Sequence, residues 1–196
     1  MNVKKIVKIA IVTIICVGLI LGYYYYLTHR GGNGAQNQDD KRTAIEKCLD
    51  RDLDYDYPKT PREVVKYFNE IMTCLYNEEP SDDQIKRLAD QQFRLLDKEL
   101  QDNNPSMQYY ESVRADVRNY RNAERILVSA ALCSSDEVTY KDVDDKGYCA
   151  FVTCSYLLRD KNGATPTMQQ YVLRKDENDN WKILVFYVTE NKKEDQ

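Results

Sequence analysis

Carboxylates and tyrosines are the residues of this chain that could move a proton. There are 32 aspartates and glutamates and 16 tyrosines, but a single histidine, His29. It falls between an apolar run and Gly31-Gly32-Asn33-Gly34, which leaves none for the sequence beyond. A Ser-His-Asp or Cys-His nucleophile needs an imidazole base, so that class is excluded downstream. Histidine zinc sites are excluded with it, and Cys48, Cys74, Cys133, Cys149 and Cys154 have no C-x-x-C spacing to offer four thiolates. No glycine-rich phosphate loop, Gly-x-Ser-x-Gly elbow or dinucleotide fingerprint occurs. What survives is a carboxylate of raised pKa working beside a tyrosine hydroxyl. No acid stands out inside an apolar strand, however. The expectation is no catalytic residue, no metal site and no cofactor, with the ligand-binding residues left unassigned.

Three further patterns imitate binding motifs. Asp50-x-Asp52-x-Asp54-x-Asp56 resembles the start of a calcium loop, but Tyr55 stands where that loop needs glycine, so it reads as a solvated acidic connector. Asp176-x-Asn178-x-Asn180 has Trp181 at the same position and no closing acid, and reads as a hairpin turn. Arg114, Arg118, Arg121 and Arg125 recur at helical spacing, with Glu111, Asp116 and Glu124 near enough to balance them as a solvated face. The cysteines are odd in number outside the apolar run, and Cys149 and Cys154, five apart on one expected strand, face opposite sides. They read as small buried hydrophobes suited to a reducing, anaerobic habitat, with one bridge among the others left open as an alternative.

The elements that hold these residues begin with an anchor. Lys4, Lys5 and Lys8 precede an apolar run over residues 9–27, which as a helix reaches about 28 Å, the thickness of a bilayer's hydrocarbon core. The basic flank keeps residues 1–8 cytoplasmic, and Tyr23 to Tyr26 suit the outer interface. Those four tyrosines also stand where a cleaved signal needs small residues, and Ile15 is too bulky to precede a lipidated cysteine at Cys16. The expectation is an uncleaved, single-pass signal anchor with the rest of the chain extracellular. Beyond residue 30 there remain 24 of the 28 basic residues against all 32 acidic ones, a formal charge of −8. So acidic a domain is no partner for nucleic acid or anionic wall polymers.

Residues 28–59 form a polar tether with a short amphipathic helix carrying Ile45, Cys48, Leu49 and Leu53 on one face. A domain spans residues 60–190, and 191–196 are a polar tail. Thr60-Pro61-Arg62-Glu63 is a capping box with proline at the first helical position, followed by a stripe from Val64 to Leu75. Ser81-Asp82-Asp83-Gln84 repeats the box and opens a second stripe, Ile85 to Leu100. Asn104-Pro105 starts a third helix with Met107, Tyr110, Val113, Val117 and Tyr120 inward. From Ile126 the period changes to two, predicting strands over 126–133 (continuing irregularly through Val138 and Tyr140), 148–158, 168–173 and 181–188, with turns at Asp145-Lys146-Gly147, Asn162-Gly163 and Asp176–Asn180. Three helices and then an antiparallel meander make an α+β fold, the helices covering one face of a curved sheet.

This order, closing on Tyr171-Val172-Leu173-Arg174-Lys175 and Trp181-Lys182-Ile183, resembles the nuclear transport factor 2-like (cystatin-like cone) fold. With the anchor and the Pro61–Tyr67 start, it also resembles an uncharacterised family of anaerobic Gram-positive bacteria. The resemblance implies a cone that can enclose a pocket, with Tyr110, Tyr156, Tyr171 and Trp181 as lining and Met168-Gln169-Gln170 contributing amides. It also implies dimerisation through the sheet. The function expected is a membrane-anchored extracytoplasmic binding or assembly module without catalysis, its partners the lipid bilayer and either a second copy or another protein at the sheet. The alternatives are an isomerase- or dehydratase-like enzyme using a carboxylate and a tyrosine, and an accessory subunit of a secretion or conjugation complex.

Overall fold

The computed structural model describes residues 42–189, all within one compact unit, Arg42–Gln196. The expected membrane span at 9–27, the cytoplasmic tail, the first part of the tether and the polar tail lie outside the described residues. Among the described residues no helix is long and apolar enough to cross a membrane.

Helices α1 (Ala44–Leu49), α2 (Pro61–Asn77), α3 (Asp82–Arg94), α4 (Lys98–Asn103) and α5 (Ser106–Asn122) precede strands β1 (Ile126–Leu132), β2 (Thr139–Val143), β3 (Gly147–Asp160), β4 (Gly163–Lys175) and β5 (Trp181–Thr189). The protein is thus α+β. Capping decides the helix starts: reciprocal boxes join Thr43 to Glu46, Thr60 to Glu63 and Ser81 to Gln84, each satisfying two amide donors that the first turn would otherwise strand.

Two corrections concern the helices. The single stripe expected from Ile85 to Leu100 is two helices. α3 stops at Arg94 with Leu95 still helical as its C-cap, Leu96 bridges to Ile183, and the Asp97 side chain accepts from Glu99 N to start α4. Met107, expected inward, is 70 % exposed; on α5 the buried positions are Val113 and Val117. Leu53 is buried as expected, but from the turn after α1 rather than from the helix.

The strands pair antiparallel in the order β1-β3-β4-β5, with β2 also on β3. β1 lies against Cys154–Arg159 and β2 against Gly147–Phe151, so the two share one edge of β3 with a 3-10 turn, Ser135–Glu137, between them. Alternation along β3 places Ala150, Val152, Cys154 and Tyr156 in the main core under the helices. Cys149 goes to a smaller outer cluster with Val172 and Leu184. Cys149 and Cys154 therefore do lie on opposite faces.

Candidate functional site

The four expected pocket-lining residues do not all meet. Tyr156 and Tyr171 come together in the core, with hydroxyls 2.5 Å apart. Trp181 sits at the opposite end of the sheet, where Tyr57 donates to its carbonyl and Tyr140 lies beside its ring. Tyr110 is half-buried at the margin of the core. Tyr156 donates to Asn69 Oδ1 at 2.7 Å, and Asn69 Nδ2 points to Cys154 Sγ at 3.3 Å. Gln169 Oε1 lies 3.2 Å from the Tyr171 hydroxyl, so one of the two expected glutamine amides does reach the cluster. Burial pushes both phenols up, so they stay protonated donors at physiological pH.

Neutral partners satisfy this cluster, and no carboxylate hydrogen-bonds either tyrosine. Among the described residues Asp116 is the carboxylate that desolvation pushes up; it lies on α5 near Tyr76, Tyr109 and Tyr120, away from Tyr156. A buried hydroxyl left without a partner costs about 1–3 kcal/mol, so the network's first consequence is a specified core. Asn69 was not foreseen. Its signal was a polar residue four after Val65, on the apolar face of α2.

The imitation motifs resolve as structure. Arg114 pairs with Asp82 at 3.1 Å, Arg121 donates to the Pro80 carbonyl and Arg125 reaches Asp160 at 3.2 Å. These partners come from other elements, not from the acids of α5 that were expected to balance the arginines. In the acidic connector, Asp50 pairs with Arg42, Asp54 with Arg94 and Asp56 with Arg51, while Asp52 Oδ1 accepts from Asp54 N. The carboxylates diverge toward separate cations, and no metal-holding cluster is found among the described residues. Asp176 Oδ1 accepts from the amides of Asn178 and Asn180, which makes that segment a side-chain-closed turn.

The two sheet edges are more telling. On β1, the Asn77 amide both donates to Leu127 O (2.7 Å) and accepts from Leu127 N (2.8 Å), beside a bulge at Val128. At the start of β5, Asp97 N donates to Ile183 O and Ile183 N to Leu95 O, so Leu95–Asp97 acts as a short parallel cover. Arg174 grips Asp97 with two hydrogen bonds, 2.9 and 2.7 Å, and Lys146 reaches Glu99.

Past Ile183 that cover ends. The register slips by one residue between Val172 and Leu173, which turns Ile183 inward and Leu184 outward. From there Val185, Phe186, Tyr187 and Val188 are between 41 % and 64 % exposed, and β5 pairs on its β4 side alone among the described residues. Phe186 turns toward the helices, its ring 5.5 Å from Tyr171 and 6.0 Å from Phe68. Val185 borders an outer-face hollow of about 330 Å³ with Leu184, Val172, Phe151 and Leu100. An unpaired strand edge beside an apolar hollow can accept an extended segment, main chain to main chain.

Residues 1–186 match a family described as "Domain of unknown function (DUF6715)". No curated protein matches the sequence. Because the match takes in the anchor-like start, the helices and nearly the whole sheet, the chain belongs to the DUF6715 family.

Proposed function

We propose that this is a membrane-anchored, extracytoplasmic binding or assembly module, built on a nuclear transport factor 2-like cone, that recruits a protein strand at the open half of β5. The single observation behind this reading is the asymmetry of that strand. Its start is covered and ion-paired, whereas Val185 to Val188 leave apolar side chains and, among the described residues, an unpaired backbone at one edge. Soluble domains usually blunt such edges with charge, proline or a covering segment, and this chain does so at β1 and at the head of β5. The apolar run over residues 9–27 and its basic flank support the anchor and the outward orientation. The strand donor is a second copy or a partner of the assembly in which the domain is held.

The test has two arms. In cells, protease added from outside should digest the C-terminal domain while the membrane is intact. In detergent, the full chain should self-associate in sedimentation, or a photo-crosslinker at Val188 should trap a protein in cells, and V185K/V188K should abolish either result. A domain shielded inside the cytoplasm, or a chain that stays monomeric and gives no adduct, defeats the proposal. The enzyme alternative ranks second, because the buried tyrosine pair has amide partners rather than an acid.

A further inference from the structure

Helix α1 packs on α2 with one buried, unbridged cysteine from each. Cys48 on α1 and Cys74 on α2 are both buried in the same core cluster, and their side chains act directly on each other's ionisation. Both also line a cleft of about 770 Å³ with Arg51, Tyr67, Glu70 and Thr73, so a small thiol reagent has a route to them. The site is clamped around them: Tyr67 donates to the Cys48 carbonyl at 2.9 Å, and the Arg51 guanidinium lies 4.8 Å from the Tyr67 ring centre. Of the other described cysteines, Cys149 faces the outer cluster, Cys154 receives the Asn69 amide and Cys133 ends β1.

We propose that Cys48 and Cys74 are a disulfide-forming pair, closed by exchange with an external disulfide and stapling α1 to α2. The Cys74 thiolate attacks one sulfur of the external disulfide and expels its first thiolate. Cys48, giving up its proton, then attacks the Cys74 sulfur of that mixed disulfide and expels the second. Two protein thiols are oxidised by two electrons, the external disulfide is reduced to two thiols, and the protons end on the leaving thiolates. The order of attack follows this mutual effect: Cys48 holds the Cys74 thiol below its usual value, while Cys74 and then desolvation push Cys48 up. α1 has six residues, too few to stand alone, so the bridge decides whether the chain leaving the tether is fastened to the domain or frays from it. This inference does not depend on how β5 is used.

The experiment takes the full chain in detergent, reduced and then treated with glutathione disulfide. Free thiols are counted after unfolding, linked peptides are mapped without reduction, and the thermal midpoint is followed. Six thiols should fall to four with Cys48 and Cys74 joined within one chain. The midpoint should rise by about 5–10 °C. C48A and C74A should each block the linkage and leave the midpoint indifferent to the oxidant. Retention of all six thiols, a bond between chains, or a bridge using Cys133, Cys149 or Cys154 overturns the assignment. Because the mapping is done on the unaltered chain, a variant that fails to fold does not rescue the proposal.

Discussion

The two halves of β5 share one strand and one neighbour, yet they are finished in opposite ways. From Trp181 to Ile183 the outer edge is closed by Leu95–Asp97, and behind that cover Arg174, Asp97, Glu99 and Lys146 form a chain of opposite charges. From Leu184 to Thr189 the edge has no strand partner among the described residues, and the side chains are Leu, Val, Phe, Tyr, Val and Thr. The closed half is where this domain invests in its own stability. In the open half Leu184 and Phe186 still pack on the sheet's two clusters, but the exposed Tyr187 and Val188 add little, and the edge is left free to pair. A substitution in the first should therefore be read in unfolding, and one in the second in association.

The largest effect should come from breaking the closed half. Asp97 caps α4, accepts two bonds from Arg174 and is 4 % exposed, so D97A strands a cation and frees a helix start. Urea unfolding should show a loss of about 2–4 kcal/mol, tempered by the partial exposure of Arg174. R174K, which keeps charge but not the two-pronged geometry, should recover part of what R174A loses.

Next in size is acid. Desolvation pushes the Asp97 carboxyl up, but the Arg174 guanidinium and the Glu99 amide outweigh it and hold the group below the usual carboxylate range. A value lower when folded than unfolded gives stability that is whole above about pH 4 and lost as pH falls through the folded value. The free energy of unfolding should therefore drop more steeply between about pH 5 and pH 2 in the wild type than in D97A. Equal slopes would show that this carboxylate is not held by its partner.

Y156F tests what lies behind the open half, since Tyr171 is the register partner of Phe186. Losing that hydroxyl leaves Asn69 Oδ1 and Tyr171 under-satisfied and should cost about 1–3 kcal/mol in unfolding. Association through β5 should be unchanged at temperatures well below the transition. A tyrosine pair serving catalysis would instead leave stability nearly intact and remove a turnover.

The smallest stability effect belongs to the open half itself. V188K should shift unfolding by less than about 0.5 kcal/mol, because Val188 is 64 % exposed. Combined with V185K it should nonetheless prevent pairing at the edge, read as loss of self-association or of the Val188 adduct. Stability falling with association would place the strip in the core of the fold and erase the contrast between the halves.

Much of the molecule could be read from local pattern. The capping boxes at Thr60 and Ser81 mark true helix starts because their hydrogen bonds lie within four residues. The change of period at Ile126 marks the first strand for a similar reason, since alternation is a property of neighbours. The side-chain stripe through Leu96 and Leu100 misled, because it carries no record of a backbone bond to Ile183, 87 residues on. The arginines read as balanced by Glu111, Asp116 and Glu124 nearby in sequence, but the partners of Arg114 and Arg125 sit on other elements.

The information carried by residue order is therefore local: which segments turn into helix or strand, where the capped helices begin, which cysteines on β3 face apart, and that no histidine follows residue 29. These follow from spacing and residue type along the chain. Only long-range packing sets Tyr156 against Tyr171, brings Cys48 and Cys74 to one cleft, and lets Leu95–Asp97 close one half of β5 while the other has no cover among the described residues. Each of these is a meeting of segments far apart in sequence, set by strand register and by which helix covers which edge, and no window of the chain encodes it alone.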